Sequence, residues 1–387
     1  MPDQNPRIGR YETRTVMEES VRAYIPPLLP PEPAILMTPK LQALLERATL
    51  ALGRLDGLAS LLPDVSLFIY MYIRKEALLS SQIEGTQSSL TDLLLYENAA
   101  MPGVPLNDVQ EVSRYVAAMT HGLRRLREDF PLSLRLIREI HEVLMRDARG
   151  GDKLPGEFRR SQNWLGGTRP GNAMFVPPPQ ETVLDLMSNL EKFLYDEETP
   201  TLVKAALVHV QFETIHPFLD GNGRTGRLLI TFLMCADKIL SEPILYLSLY
   251  FKTHRAQYYE LLQRVRLEGA WEAWLEFFLE GILETATSAV NATKSILALF
   301  HEDRLRIEGL GRAASSILRV HQLLERQPFV SIAGASKALG LSTPTVSKSI
   351  AELVRLEIIR ETTNKQRDRL WVYDKYLALL ALGTEPL

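Results

Sequence analysis

The residues of this chain best suited to chemistry lie together in His216, Pro217, Phe218, Leu219, Asp220, Gly221, Asn222, Gly223, Arg224, Thr225, Gly226 and Arg227. Gly221 and Gly223 permit backbone conformations that turn successive N–H groups into one concavity. The helix expected to follow adds the positive end of its dipole, and together they form a nest for an anion. Arg224 and Arg227 stand at i and i+3 in the first turn of that helix and therefore share a face. Cations there oppose the dipole at about 0.3–1 kcal/mol each, a cost that a polyphosphate offsets. Asp220 is placed for a hard divalent cation that takes oxygen ligands, above all Mg²⁺. His216, ending the preceding helix, can accept a proton near neutral pH as a general base must.

Positioning these residues falls to helices. Apolar residues recur at helical spacing over residues 65–82, 108–127, 131–146, 180–195, 199–214 and 224–239,. Thr38-Pro39 offers an N-cap with proline at the first helical position,. Residues 24–34, with Pro26, Pro27, Pro30, Pro31 and Pro33, read as an extended arm,. No βαβ alternation occurs, so the fold class is all-α. Residues 163–176 break the pattern: Gly166, Gly167, Pro170, Gly171 and Asn172 between short apolar runs predict a β-hairpin or flap,. Residues 271–299 form a long apolar helix pattern. After it come helices over 314–326 and 332–339, a turn at Gly340, and a helix opened by Ser342 with Pro344 in its first turn. Two strand-like runs, 358–359 and 370–373, flank the polar stretch 361–368, which together predict a winged helix-turn-helix,.

Composition excludes other classes. Of 387 residues, 46% are hydrophobic and 24% charged, as in soluble globular domains,. The longest apolar runs, 228–236 and 244–251, are too short to span a bilayer, and the polar start has no signal-peptide core,. A lone cysteine, Cys235, in an apolar run, fits a core position in a reducing cytoplasm,. From Arg312 onward the chain has 11 basic and 7 acidic side chains, a net of +4 against −7 for the rest, which supports a separate C-terminal module,.

Residues 216–227 resemble the signature of the Fic family, His-Pro-Phe-x-(Asp/Glu)-Gly-Asn-Gly-Arg-x-x-Arg, at every specified position. The resemblance implies a helical fold that transfers AMP from ATP to a hydroxyl side chain (Ser, Thr or Tyr) of a target protein or of itself, releasing pyrophosphate. By that likeness His216 deprotonates the target hydroxyl and Asp220 holds Mg²⁺ on the α- and β-phosphates. Gly221, Asn222, Gly223, Arg224, Thr225, Gly226 and Arg227 bind the nucleotide, with the arginines on the outer phosphates, and Phe218 anchors the loop in the core. The related Doc branch, which phosphorylates, has Lys where this chain has Gly223, so AMP transfer is favoured.

Ser80-Ser81-Gln82-Ile83-Glu84-Gly85 is similar to the family's inhibitory pattern (Ser/Thr)-x-x-x-Glu-(Gly/Asn). Gly85 suits the left-handed end of a helix, leaving Glu84 in the last turn, where a carboxylate opposes the dipole and wants a cation. In the family that cation is the second motif arginine, here Arg227, reached by a two-pronged ion pair that autoinhibits. Gly156-Glu157-Phe158-Arg159 and the stretch to Pro179 resemble the segment leading into the target-docking flap,. Tyr259 or Tyr258 offers an aromatic wall for adenine or packs in the core; Gln211 is a nucleotide contact and His209 a core histidine. The expected domains are 1–107 (arm and inhibitory helix), 108–299 (Fic core) and 312–387 (winged helix). The implied partners are ATP, a target protein, duplex DNA or a protein at the winged helix, and another copy of the chain. For DNA the candidates are Thr343, Thr345, Lys348 and Ser349 on the recognition helix and Arg360, Lys365, Arg367 and Arg369 on the wing. The rival readings are a DNA-binding regulator with a nucleotide-sensing core, removal of AMP, and transfer of another nucleotide moiety.

Overall fold

The computed structural model describes residues 5–60, 65–97, 104–146, 153–362 and 369–386. It opens with an antiparallel hairpin, β1 (Arg10–Val16) and β2 (Glu19–Ile25), in register from Arg10 opposite Ile25 to Val16 opposite Glu19. Met17 and Glu18 turn the chain with positive φ of 50° and 66°, the geometry that matches strand twist in a two-residue hairpin. Sequence patterning does not anticipate these strands: β1 is largely polar, the apolar end of β2 runs into the proline arm, and Met-Glu is not a usual turn pair. The proline arm therefore continues from a strand.

Helices follow: α1 (Pro39–Ser60), α2 (Val65–Ile83), α3 (Leu90–Glu97), α4 (Leu106–Arg127), α5 (Leu134–Met145), α6 (Val183–Leu194), α7 (Thr201–Ile215), α8 (Asn222–Ala236), α9 (Ser248–Thr253), α10 (Arg255–Glu268) and α11 (Trp271–Glu308). The Thr38 hydroxyl accepts from Leu41 N–H, capping α1 as expected,. Residues 202–215 of α7 are all buried, which makes it the central helix, enclosed on every side. It packs against α6, α8, α10 and α11, and Trp274 Nε1 of α11 donates to Ala206 O at 2.8 Å. Among the described residues no helix is long and apolar enough to cross a membrane. Cys235 is partly buried, and burial pushes its thiol up to about 12.

The flap differs from the expected hairpin. Residues 163–176 are closed by one antiparallel bridge, Leu165 to Phe175, around a short turn at Pro170–Asn172. Its Val176 carbonyl accepts from Tyr24 N–H of β2 at 2.9 Å, so the N-terminal hairpin lies along it.

The C-terminal region comprises α12 (Ala314–Arg326), β3 (Phe329–Val330), α13 (Ile332–Leu339), α14 (Thr343–Arg355), β4 (Arg360–Glu361), β5 (Trp371–Val372) and α15 (Asp374–Ala381), with sheet order β3-β5-β4. Ser342 caps α14 through Thr345 N–H, and Gly340 takes a left-handed φ of 62°. Ile358 and Ile359 fill the core, and strand pairing starts only at Arg360. Lys365 and Arg367 lie outside the described residues. The region shares one continuous core with the rest of the chain, and Tyr373 donates to Asp303 of α11 at 2.6 Å.

Gly122 sets the crossing of α4 over α8: a Cβ there would stand 2.6 Å from Phe232 Cε1. Gly122→Ala is expected to destabilise the fold by about 1–3 kcal/mol through overpacking. The thermal midpoint reads this directly, and an unchanged midpoint would refute the close crossing.

Candidate active site

The motif loop joins α7 to α8. His216 is the residue after α7 and takes a left-handed conformation, φ 51° and ψ 59°, uncommon for a side chain other than Gly or Asn and so held by its surroundings. Arg159, 2% exposed, does the holding: it donates to His216 O at 2.9 Å, to Ile215 O at 3.4 Å, and to Pro178 O and Ser161 O. Its guanidinium thus caps the orphan carbonyls at the negative end of α7. Burial, then the charges of Arg266 and Arg159, push the His216 imidazole down to about 3. The ring is therefore neutral and free to accept a proton.

Beyond His216, Phe218 is fully buried and stacks on His141 with centroids 3.6 Å apart. Gly156 N–H donates to His141 Nδ1, which leaves Nε2–H to donate to Asp220 O, both at 2.9 Å. Asn222 uses both ends of its amide on Phe218, accepting from N–H and donating to O at 2.8 Å. Gly221, φ 74°, precedes α8, and a Cβ there would meet Met145 Sδ at 2.7 Å. Thr225 turns its hydroxyl back onto Gly221 O at 2.8 Å, and Gly226 O accepts from buried His209 at 3.1 Å. The side chains of Asn222 and Thr225 are thus engaged in building the loop, as is Gly226. What the loop presents outward is backbone: the first-turn N–H groups of α8, which have no intrahelical partner.

Six charged residues complete the site. Asp220, half-buried, receives the Lys153 ammonium, and Lys153 with Arg224 outweighs burial and lowers its pKa. Arg224 pairs with Glu111 at 2.8 Å and lies 3.7 Å from Asp220. Arg227, 2% exposed, donates from Nε to Ser80 Oγ at 2.8 Å, and from one terminal nitrogen to Ser80 O at 3.0 Å and Glu84 Oε1 at 2.5 Å. Glu84 follows the last residue of α2, and Gly85 takes φ 105°. Burial raises the Glu84 carboxyl, but the adjacent Arg227 guanidinium more than compensates and holds it below its ordinary range. The expected two-pronged pair is instead a fork divided between Ser80 and Glu84, because Nε reaches the serine hydroxyl first. A side chain at 223 would collide with the Glu84 carboxylate and stand 3.1 Å from Arg227.

Tyr259 is partly exposed, beside Arg255 and within the field of Glu84 and Arg227. Tyr258 is fully buried on His209 Nε2 at 2.9 Å, so the pair divides into an open ring and a core ring. Gln211 is not brought to the loop: its amide donates to Pro27 O of the arm at 2.8 Å. Glu111 and Lys153 carry no signal in the sequence, since each acts through one long-range contact. Among the described residues no three His, Cys, Asp or Glu side chains group as metal ligands.

Residues 42–124 match the family described as Fic/DOC family N-terminal, and residues 131–234 the Fic/DOC family. The relatives include proteins named Protein adenylyltransferase Fic from Drosophila erecta, 31% identical over 55% of this chain and 41% of that protein, and from Aedes aegypti, 34% identical over 51% and 38%. The match thus spans about two fifths of those relatives' length. A Fic family protein from Desulfovibrio desulfuricans shares the fold at a TM-score of 0.58 and 22% identity, over 88% of this chain and 97% of that one. A Fic domain containing signaling protein from Bacteroides thetaiotaomicron does so at 0.53 and 18%, over 64% and 97%. Fold and loop define a helical protein built around a helix N-terminus that faces an anion. Residues 42–124 and 131–234 are thus similar to the N-terminal and central segments of the Fic/DOC family.

One buried group beside the loop makes stability depend on pH. Glu213, 6% exposed, has a buried Oε1 without a hydrogen-bond partner, and burial pushes its carboxyl up to about 7. Between the ordinary value of 4.5 and 7 the folded chain binds this proton and the unfolded chain does not. Stability from this group is therefore present at acid pH and lost as pH rises through that window. Glu213→Gln is expected to remove that fall, a difference of roughly 2–3 kcal/mol between pH 4.5 and 7,. Parallel denaturation curves for the two proteins across the window would overturn the assignment.

Proposed function

We propose that this chain transfers AMP from ATP to the hydroxyl of a serine, threonine or tyrosine on a target protein or on itself, and that Glu84 restrains the reaction. The observation that carries the reading is the buried Arg227 offered to an anion at the start of α8 and occupied by a carboxylate from α2. The relatives' names point the same way. In the reaction the acceptor oxygen attacks the α-phosphorus, its bond to the β-phosphate bridging oxygen breaks, and pyrophosphate leaves. The hydroxyl proton passes to His216 Nε2, since Nδ1 is buried. Phosphates bound beside the imidazole raise its basicity by the same electrostatics that lower it in the free protein. The N–H groups at the start of α8 bind phosphate oxygens, Arg227 takes the outermost phosphate once Glu84 withdraws, and Tyr259 flanks the base.

The donor set fits Mg²⁺. Asp220 faces a cation already, the Lys153 ammonium, and one carboxylate suffices where phosphates and water supply the other ligands,. A bound Mg²⁺ would neutralise charge on the α- and β-phosphates. A cytoplasmic location belongs to the same proposal.

Glu84→Gly is expected to label itself or added protein with AMP faster than the wild type, and His216→Ala in that background to lose a factor of about 10²–10⁴. Intact-mass spectrometry after incubation with ATP and Mg²⁺ measures both. Equal wild-type and Glu84→Gly rates would sink the inhibitory role; undiminished transfer by His216→Ala would sink the base.

For the C-terminal region we propose a winged helix with α14 as its docking helix. Arg360 and Arg369 each pair with a carboxylate of the same module, Asp374 at 2.7 Å and Glu361 at 3.5 Å, which limits the charge left for phosphates. If duplex DNA is the partner, affinity of the full chain falls with salt by a slope of about −0.9 per phosphate contacted. No shift of any duplex at low salt assigns the module to protein docking.

A further inference from the structure

The residues after α15 return to the inhibitory helix. Gly383 turns the chain with φ 78°, and a Cβ there would stand 2.8 Å from Leu249 Cδ1 of α9. Four consecutive main-chain carbonyls are then taken by side chains of the core. Leu382 O accepts from Lys75 at 2.8 Å, Gly383 O from Lys252 at 3.3 Å, Thr384 O from Gln82 at 2.8 Å, and Glu385 O again from Lys252. Lys75 and Gln82 belong to α2 and Lys252 to α9; all are buried, as is Thr384.

Buried ammonium groups are costly unless paired. Those of Lys75 and Lys252 meet these carbonyls, together with the Tyr246 ring face 4.4 Å from Lys75. Gln82 donates in two directions, to Thr384 O and to Ser88 O at 2.9 Å, so it ties the chain end to the loop that begins at Glu84. It stands two residues before Glu84 and two after Ser80, the pair that holds Arg227.

We infer that residues 382–386 form a latch, a main-chain segment seated in a cradle of Lys75, Gln82 and Lys252 that fixes the end of α2 and so keeps Glu84 on Arg227. The cradle reads carbonyls, a ligand class that any extended chain offers, and Gly383 supplies the close approach. The latch follows β5 and α15 directly, so a partner that displaces the C-terminal module withdraws it. By reciprocity, release of Glu84 loosens the latch. The effect on transfer rests on the proposed inhibitory role of Glu84; the structural effect does not.

Two variants test it: the chain ending at Ala381, and Gly383→Val in the full chain. Hydrogen–deuterium exchange without nucleotide should quicken about tenfold at residues 82–88 in both, with α7 unchanged. Single-turnover AMP transfer should rise about fivefold in each variant but not further in a Glu84→Gly background, since both act through one contact. Unchanged exchange at 82–88 in both variants would overturn the latch, as would an equal rise in both backgrounds. If Glu84→Gly shows no transfer at all, the proposed activity fails and exchange alone decides the latch. Should the shortened chain exchange rapidly throughout, Gly383→Val decides in its place.

Discussion

The burial of one guanidinium organises this molecule. Arg227 lies in the second turn of α8 with 2% of its surface exposed, and a charge so placed is tolerated only with its hydrogen-bond donors matched,. All three matching acceptors, the Ser80 hydroxyl, the Ser80 carbonyl and the Glu84 carboxylate, come from α2 or the residue just after it. Two segments far apart in sequence are thereby fixed in register to within a hydrogen bond. Residue 223 must then lack a side chain, because the Glu84 carboxylate fills the space where a Cβ would be. The glycine at 223 thus makes room for the group that occupies Arg227.

The same economy shapes the loop. A left-handed histidine and a left-handed glycine bracket a short connection that three polar side chains brace from outside it or across it: Arg159 on the carbonyls of 215 and 216, His141 on that of 220, Asn222 on both groups of 218. Each brace removes an unpaired main-chain group that would otherwise be costly to bury. Rigidity here has a chemical use, since N–H groups aimed before a ligand arrives need no reorganisation when it binds. His141 depends on its environment in turn: the Gly156 N–H fixes its tautomer, and burial drives its pKa to about 4.

The part of this design legible in the sequence is the part written locally. The motif from His216 to Arg227 has its spacing in twelve adjacent residues, and the Ser80 to Glu84 string asks for a cation through charge and helix polarity, while only its likeness to the family pattern points to Arg227. The caps at Thr38 and Ser342 likewise announce helix starts. Long-range single contacts leave no such trace. Glu111 and Lys153 look like any surface charge until the fold sets them on Arg224 and Asp220. Gln211 lies five residues before His216 in sequence, yet faces the arm at Pro27, because the helix turns its side chain away. The β1–β2 hairpin was hidden because β1 is largely polar and the apolar residues at the end of β2 run straight into the prolines, so they read as the start of the arm,.

If Glu84 restrains the site as proposed, the division of Arg227 between Ser80 and Glu84 lets tight restraint and ready release coexist. The Ser80 contacts lie in the interior, where the serine is fully buried, whereas the Glu84 side chain keeps 35% of its surface at the rim. On that reading a nucleotide approaching from solvent would compete for the Glu84 position alone. The guanidinium would stay held by Ser80 through Nε and one terminal N–H, and the second N–H of that terminal nitrogen would be freed for a phosphate. Losing the carboxylate without a replacement would leave a buried charge underpaired, so the open state is costly until the phosphate arrives. Movement of Glu84 and entry of an anion are therefore coupled at one atom, and only the residues after Gln82 need to shift. An inhibitory group placed on the interior prong would have required α2 to leave the core, at the expense of the packing that Met71, Leu78 and Leu79 provide.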